Sequence, residues 1–468
     1  MTSEQIATAQ DRRAQVVAAT VKAYDVRGLV GEQLDESLVH DVGSAFARLV
    51  RPEAGRVVVG RDMRASSPEL AAAFTAGVVE QGLDVVDVGL ASTDQLYFAS
   101  GFLDCPGAMF TASHNPATYN GIKLCRAGAR PVGQDTGLAT VAADVVAGPA
   151  EFAGPPGTTT RRDVLGEYAE HLRSLVDCAG LRPLTVAVDA GNGMAGHTVP
   201  EVFGPLPFAL RPLYFTLDGS FPNHEANPLD PANLVDLAEL VRASASSDTP
   251  IDVGLAFDGD ADRCFVIDER GEPVSPSTVT ALVAARELAK HPGAKIIHNL
   301  ITSRAVGEIV TELGGTAVRT RVGHSFIKAE MASTGAVFGG EHSAHYYFRD
   351  FWGADSGMLA ALHVLAALGE QDRPLSELVA QYSRYCASGE INSVVGDVAG
   401  RTEAVRLAFV DRAAGVDHLD GLTVTLPDRS WFNLRPSNTE PLLRLNVEAA
   451  DEAGVTALVD EVLGIVRA

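Results

Sequence analysis

Short apolar runs alternate with amphipathic stretches along most of the chain. "RVVVGRD" (56–62) is β-branched and of strand length, "SPELAAAFTAGVVEQG" (67–82) has helical spacing, and "DVVDVGL" (84–90) reads again as a strand. The same order recurs in "LTVAVDAGNGMAG" (184–196), "HTVPEVFG" and "FALRPLYF", and a third time in "AKIIHNLITSRAVGEIVTELGGTAVRT" (294–320). Each copy has the length of a βαβ unit, and three copies at similar intervals predict three related α/β domains. "GMLAALHVLAAL" (357–368) is too short to span a membrane and reads as a buried helix. In the tail, "GLTVTLPDRSWFNLRPS" has hairpin character and "AGVTALVDEVLGIVRA" reads as a closing amphipathic helix.

Gly, Pro and Ser cluster at 147–160 and 243–250, and Pro374 interrupts a helical stretch near 369–377. These breaks predict four domains: 1–150, 151–250, 251–370 and 371–468, the last of α+β type. The expected fold class is α/β, three related domains with mixed sheets plus a C-terminal α+β domain.

Composition narrows the function. The chain has 468 residues and a formal charge of −23, which argues against binding nucleic acid or an acidic membrane surface. A local basic pocket for a small phosphorylated ligand remains compatible with that charge. The five cysteines are odd in number and widely spaced, so neither a disulfide framework nor a zinc site is expected, and a reducing cytoplasm is the default. "MTSEQIATAQDRRAQ" has no apolar signal core.

Several stretches carry chemistry. "GAMFTASHNPATYNGIKL" (107–124) places Ser113 beside His114 in a turn, followed by Lys123. A hydrolytic triad fits poorly, because adjacent side chains of an extended segment point to opposite sides, and the small-residue frame of a nucleophile elbow is missing. In "VGLAFDGDADRCFVIDERG" (253–271) an apolar strand runs into Asp258, Asp260 and Asp262, which could aim three carboxylates at one hard cation, with Gly259 letting the backbone curl. Arg263 at the sixth loop position excludes an EF-hand. Alone, the stretch also admits the lesser reading of a solvated acidic turn. "FNLRPSNTEPLLRL" (432–445) offers Arg435, Ser437, Asn438 and Thr439 as phosphate donors, or a plain structural loop. "GGEHSAHYY" (339–347) would put Glu341, Ser343 and His345 on one face if extended; His324, Tyr24 and Arg27 would otherwise pass as ordinary surface residues.

Together these motifs resemble the α-D-phosphohexomutase family, most closely its bacterial phosphomannomutase/phosphoglucomutase branch. "TASHNP" resembles its phosphoserine loop, "DGDADR" its metal loop, "GEHSAH" its sugar-specificity loop and "RPSNTEP" its phosphate-binding loop, in the family's order; "AYDVRG" and "GRDMRASSPEL" match its first domain. The resemblance implies four domains around a central cleft and an intramolecular phosphotransferase of the isomerase class. Ser113 would carry a phosphoryl group, with Mg²⁺ bound by Asp258, Asp260, Asp262 and a phosphoserine oxygen. His114, Lys123, Arg27 and His345 would serve the transfer. Tyr24, Arg263, His324, Glu341, Ser343, Arg435, Ser437, Asn438 and Thr439 would bind substrate, Glu341 and Ser343 through sugar hydroxyls and the last four through the distal phosphate.

The expected reaction interconverts mannose 6-phosphate and mannose 1-phosphate through a hexose 1,6-bisphosphate, which also serves as activator. A phosphoglucomutase or dual-specificity enzyme is the main rival; a metal-dependent phosphatase and a noncatalytic sugar-phosphate binder are further ones. The expected partner is a hexose phosphate, on a monomer or homodimer, with no nucleic acid and no membrane. One position departs from the pattern: Ile301 stands where some relatives have Lys, a contact that Arg321 could replace.

Overall fold

The computed structural model describes residues 3–148, 150–437 and 442–468, with side chains from residue 11 onward. It contains two compact units, 1–274 with 343–376, and 275–342 with 377–468.

The first unit holds two sheets. Across the larger one run the strands Val26–Leu29, Tyr119–Arg126, Gly107–Phe110, Arg56–Arg61, Asp84–Leu90 and Thr159–Arg161. Arg56–Arg61 lies parallel to both Asp84–Leu90 and Gly107–Phe110, while Tyr119–Arg126 returns antiparallel beside Gly107–Phe110. The helix Ser67–Glu80 makes the first βαβ crossover expected from the pattern, with Pro68 in its first turn, where the missing N–H costs nothing. Its Phe74 packs against Phe46 and Phe110 at centroid distances of 5.9 and 5.5 Å, all three rings fully buried. The helix Thr93–Phe102 begins at Ser92, whose side chain accepts from the N–H of Gln95. That cap directs the helix's first residues toward the acidic loop described below.

The second sheet of this unit orders Pro273–Val274, Cys264–Ile267, Val253–Phe257, Leu184–Asp189 and Phe208–Leu213. Leu184–Asp189 and Phe208–Leu213 are parallel around the helix Ala195–Phe203, the second βαβ unit. The predicted boundaries at 150/151 and 250/251 both move: Thr159–Arg161 pairs with Asp84–Leu90, so the first domain's sheet extends past residue 150. Val253–Phe257 is hydrogen-bonded in parallel to Leu184–Asp189, so the strand that launches the acidic loop belongs to the second domain. The Ser-rich stretch at 243–250 is a connection inside that domain, joining the helix Val235–Ser244 to its own sheet. The helix Gly357–Gly369 is buried along its whole length, as its apolar run predicts.

In the second unit Lys295–Asn299 lies between the parallel strands Thr316–Thr320 and Phe338–Gly340, the third βαβ unit, with the helix Arg304–Glu312 as its crossover. The C-terminal sheet is antiparallel and includes the hairpin Leu422–Thr425/Trp431–Pro436. The helix Glu452–Val466 covers it through Val455, Leu458, Val462 and Val466, spaced for one helical face. Among the described residues no helix is long and apolar enough to cross a membrane, and no disulfide joins the cysteines.

Candidate active site

Two loops of the first unit meet. The strand Gly107–Phe110 delivers Ser113, and the strand Val253–Phe257 delivers the aspartates. The Ser113 hydroxyl donates to Asp258 Oδ2 at 2.8 Å and is 5 % exposed.

Local conformation differs from expectation at three places. Ser113 has φ +50°, a left-handed conformation uncommon outside glycine, so the segment is not extended there. Its Oγ and His114 Nδ1 consequently lie 3.3 Å apart instead of on opposite sides. In the acidic loop the left-handed residue is Ala261, φ +59°, whereas Gly259 is required for closeness: a Cβ there would lie 2.5 Å from the Ser113 carbonyl oxygen. Residues 341–345 form a turn, with Ala344 at φ +64°, so the alternating-face argument for Glu341, Ser343 and His345 does not hold.

Asp258, Asp260 and Asp262 are buried, and their oxygens fall within 4.8 Å of one another. Lys123 Nζ donates to Asp260 Oδ2 (2.7 Å) and Asp262 Oδ2 (2.6 Å), and the Thr93 hydroxyl donates to Asp260 Oδ2 (2.6 Å). Arg263 forks its Nε and terminal nitrogen onto Asp258 Oδ2 at 2.9 and 2.8 Å. The opposite oxygens, Asp260 Oδ1 and Asp262 Oδ1, are buried and accept no hydrogen bond. Such orphaned acceptors are costly unless something cationic meets them. Three carboxylates face two cations, and the shortfall is visible in Asp258. Burial first, and then the neighbouring Asp262 and Asp260, push its carboxyl up to about 8 against the pull of Arg263. For Asp260 burial also opposes the charge, but the Lys123 ammonium and the bonds from Lys123 and Thr93 outweigh it and hold the carboxyl well below its ordinary range. An all-oxygen donor set lacking one positive charge fits a hard divalent cation, and these residues could bind a metal ion.

The surrounding cations have defined states. Burial disfavours the charge on Lys123, yet Asp260 and Asp262 more than compensate and raise its pKa well above the usual value, so it stays an ammonium. His114 is driven down to about 2 by burial and by Arg263 and Arg27. Arg263 can only donate, so its 2.6 Å contact makes His114 Nδ1 an acceptor. Arg27 donates to Asn115 Oδ1 (2.8 Å) and Asp25 Oδ2 (2.6 Å), which places its guanidinium on the Ser113 turn.

The remaining candidates scatter more. His345 Nε2 lies 3.7 Å from Asp262 Oδ1, and its Nδ1 is 3.0 Å from the Ser343 hydroxyl, so both are tied to the acidic loop. Tyr24 is half-buried beside Gly133. In the second unit Glu341 is buried and accepts from Asn299 Nδ2 and the Gly323 N–H, each at 3.2 Å. His324 opens the helix His324–Thr334. Arg435 lies 3.3 Å from Glu390 and 3.6 Å from Asp420, Ser437 closes its strand by donating its N–H to the Leu442 carbonyl, and Asn438 and Thr439 lie outside the described residues. Ile301 is buried, and Arg321 reaches Asp420 at 4.0 Å.

Sequence reasoning missed Asn115 and Thr93. Asn115 stood inside a quoted motif; no signal marks Thr93, whose partner is 167 residues away.

A serine turn is thus locked to a buried carboxylate triad that could bind a metal ion. The chain belongs to the phosphoglucomutase/phosphomannomutase family: its alpha/beta/alpha domains I, II and III match residues 18–145, 166–271 and 276–385, and its C-terminal domain matches 390–465. A phosphomannomutase of Escherichia coli is 41% identical over 462 residues, covering 95% of this chain and 98% of that protein. Phosphohexose mutases of Xanthomonas campestris are 41% identical over 437 residues, covering 93% and 96%. The X-ray structure of a phosphoglucomutase/phosphomannomutase family protein from Burkholderia thailandensis aligns with a TM-score of 0.87 at 33% identity, covering 96% and 97% of the two chains.

Proposed function

We propose that this chain is a phosphomannomutase that interconverts mannose 6-phosphate and mannose 1-phosphate. The observation that carries the reading is the Ser113 hydroxyl, which donates to Asp258 Oδ2 of the buried carboxylate triad at 2.8 Å and lies 3.4 Å from Arg263. In the phosphorylated enzyme a substrate hydroxyl oxygen attacks the phosphoserine phosphorus and the bond to Ser113 Oγ breaks, giving a hexose 1,6-bisphosphate. The bisphosphate then returns its other phosphoryl group to Ser113. Arg263 and Arg27 support the reacting phosphate, Lys123 orients charge as an ammonium, and His114 holds the serine turn through Arg263. Mg²⁺ on Asp258, Asp260, Asp262 and a phosphoserine oxygen would supply the charge that steadies transfer. Glu341, Ser343, His324 and Tyr24 are assigned to sugar recognition, His345 to the transfer, and Arg435, Ser437, Asn438 and Thr439 to the non-reacting phosphate. Hexose 1,6-bisphosphate is the activator that restores phosphoserine, and the setting is the cytoplasm, on a monomer or homodimer.

A second reading, acceptance of glucose phosphates as well, is favoured by the 41% identity to proteins named phosphohexose mutases. Coupled assays with mannose 1-phosphate and glucose 1-phosphate, on enzyme primed with glucose 1,6-bisphosphate, test both. Turnover of mannose 1-phosphate without release of inorganic phosphate is expected. Stoichiometric phosphate release would make the protein a phosphatase, and turnover of glucose 1-phosphate alone would overturn the mannose assignment.

A further inference from the structure

Arg64 is among the most deeply buried charged side chains of the first unit, at 1% exposure, and it touches neither the acidic triad nor the Ser113 hydroxyl in any hydrogen bond. All five of its N–H donors are used. Nε binds Asp62 Oδ2 at 3.2 Å; one terminal nitrogen binds the carbonyls of Pro116 (2.8 Å) and Tyr119 (3.0 Å); the other binds those of Ser113 (2.9 Å) and Asn115 (2.7 Å). Four of the five acceptors are therefore backbone carbonyls of one loop, including that of the serine itself.

A turn that holds Ser113 at φ +50° and points several carbonyls inward needs something to collect them. The planar guanidinium does so with a fixed fork that a lysine, with three donors on one point, cannot reproduce. Arg64 is in turn anchored. Asp62 Oδ1 accepts from the Arg64 N–H (3.0 Å) and from the Ser67 hydroxyl (2.6 Å). Phe221 covers the guanidinium at 5.1 Å, and Gly219 allows that segment to close over it, since a Cβ there would lie 2.6 Å from Arg64 Cα. The Ser113 carbonyl that Arg64 grips is also the atom against which Gly259 of the acidic loop packs.

We propose that Arg64 is a positioning residue that sets the conformation of the Ser113 loop, and hence the aim of the phosphoserine, without contacting substrate. The inference rests on Ser113 as the phosphoryl carrier.

Arg64→Lys keeps a cation for Asp62 but loses most of the carbonyl contacts. Its kcat should fall about a hundredfold while KM changes by less than about threefold, because aim is lost and substrate contacts are not. Phosphorylation of Ser113 by glucose 1,6-bisphosphate, followed by intact mass, should slow in parallel. A purely structural arginine would lower the unfolding midpoint and leave kcat per folded molecule unchanged, and that result would overturn the proposal. Wild-type enzyme is run beside it: absence of a Ser113 phosphate there would strike the phosphoserine reading instead. If Arg64→Lys does not fold, Ser67→Ala carries the test. It loosens the Asp62 anchor from the protein's interior and should lower kcat several-fold with KM unchanged; a normal kcat would then overturn the proposal.

Discussion

The serine and acidic loops of the first unit and the arginine cluster of the second solve opposite problems with the same residue types. In the first unit three cations are held by short bonds to buried partners or backbone carbonyls: Lys123 by Asp260 and Asp262, Arg263 by Asp258, Arg64 by four carbonyls and Asp62. In the second, Arg435 rests on Glu390 at 3.3 Å and on Asp420 at 3.6 Å, while Glu390 is shared with Arg444 at 3.3 Å. Arg435 is itself buried, but its partners are partly exposed and the contacts are longer than those of the first unit. On the proposed assignment, the contrast would separate a serine site built before substrate arrives from a phosphate site whose carboxylates give way to the incoming phosphate. Reacting atoms demand fixed aim, whereas a group that must hold either end of a sugar bisphosphate demands exchangeable contacts.

The largest effect should come from the reacting atom. Ser113→Ala should lower mutase turnover by at least about three orders of magnitude and abolish the phosphate seen by intact mass. Retained turnover would break the contrast at its root. Gly259→Ala comes next. The new Cβ meets the Ser113 carbonyl at 2.5 Å, and neither backbone can yield freely. A misplacement of that size should lower kcat about a hundredfold with little change in KM. A normal kcat would mean that the two loops are not rigidly registered.

Arg435→Ala tests the other region. Charge-assisted bonds to phosphate are worth about 1.5–3 kcal/mol each, so kcat/KM should fall by about one to two orders of magnitude per bond lost. The loss should appear with both mannose 1-phosphate and mannose 6-phosphate, and unimpaired values for both would remove Arg435 from the phosphate site.

What the sequence revealed follows the same division. The three βαβ units were legible because strand and helix periods are local, and the aspartate spacing was legible because its residues lie within one short loop. Local conformation was not. Ser113, Ala261 and Ala344 adopt left-handed φ without being glycine, and the Ser113 carbonyl is gripped by Arg64, 49 residues away. The 250/251 boundary failed because a Ser-rich connection inside a domain has the composition of one between domains. Arg64 stood within "GRDMRASSPEL" with nothing to mark it, since its acceptors are carbonyls, which every residue has.

A smaller effect probes how far the locking extends beneath the site. Asp94 is fully buried one residue after Thr93, bonded to Ser356 (2.6 Å), Tyr168 (2.8 Å) and Ser92. Burial pushes its carboxyl up from 3.8 to about 6, which its three hydroxyl bonds only partly oppose. Between about pH 4 and 6 the folded state therefore binds more protons than the unfolded one, so stability falls as pH rises through that window, and the penalty is complete above about 6. Asp94→Asn should raise stability of the EDTA-treated protein at pH 7.5 by up to about 3 kcal/mol, with the advantage gone near pH 4. Urea midpoints across that range check it; an Asn variant destabilised equally at both ends would show that the carboxylate's bonds outweigh its desolvation.

The smallest expected effect is the most direct test of exchangeability. Glu390 pairs with both Arg435 and Arg444, and on the proposed assignment a phosphate arriving on Arg435 would displace it. Glu390→Gln keeps the shape but removes the charge that competes. If the cluster is a holding arrangement, the variant should bind phosphate more tightly, lowering KM for mannose 1-phosphate and the inhibition constant for inorganic phosphate by about two- to fivefold, the size of one partly exposed pair. If Glu390 instead aims the guanidinium, as Asp258 does for Arg263, KM should rise, and the two arginine sites would be built on one principle after all. Salt separates the cases further. Competition between charges weakens as ionic strength rises, so the gain of Glu390→Gln should shrink toward wild type in high salt, whereas a loss of aim should persist.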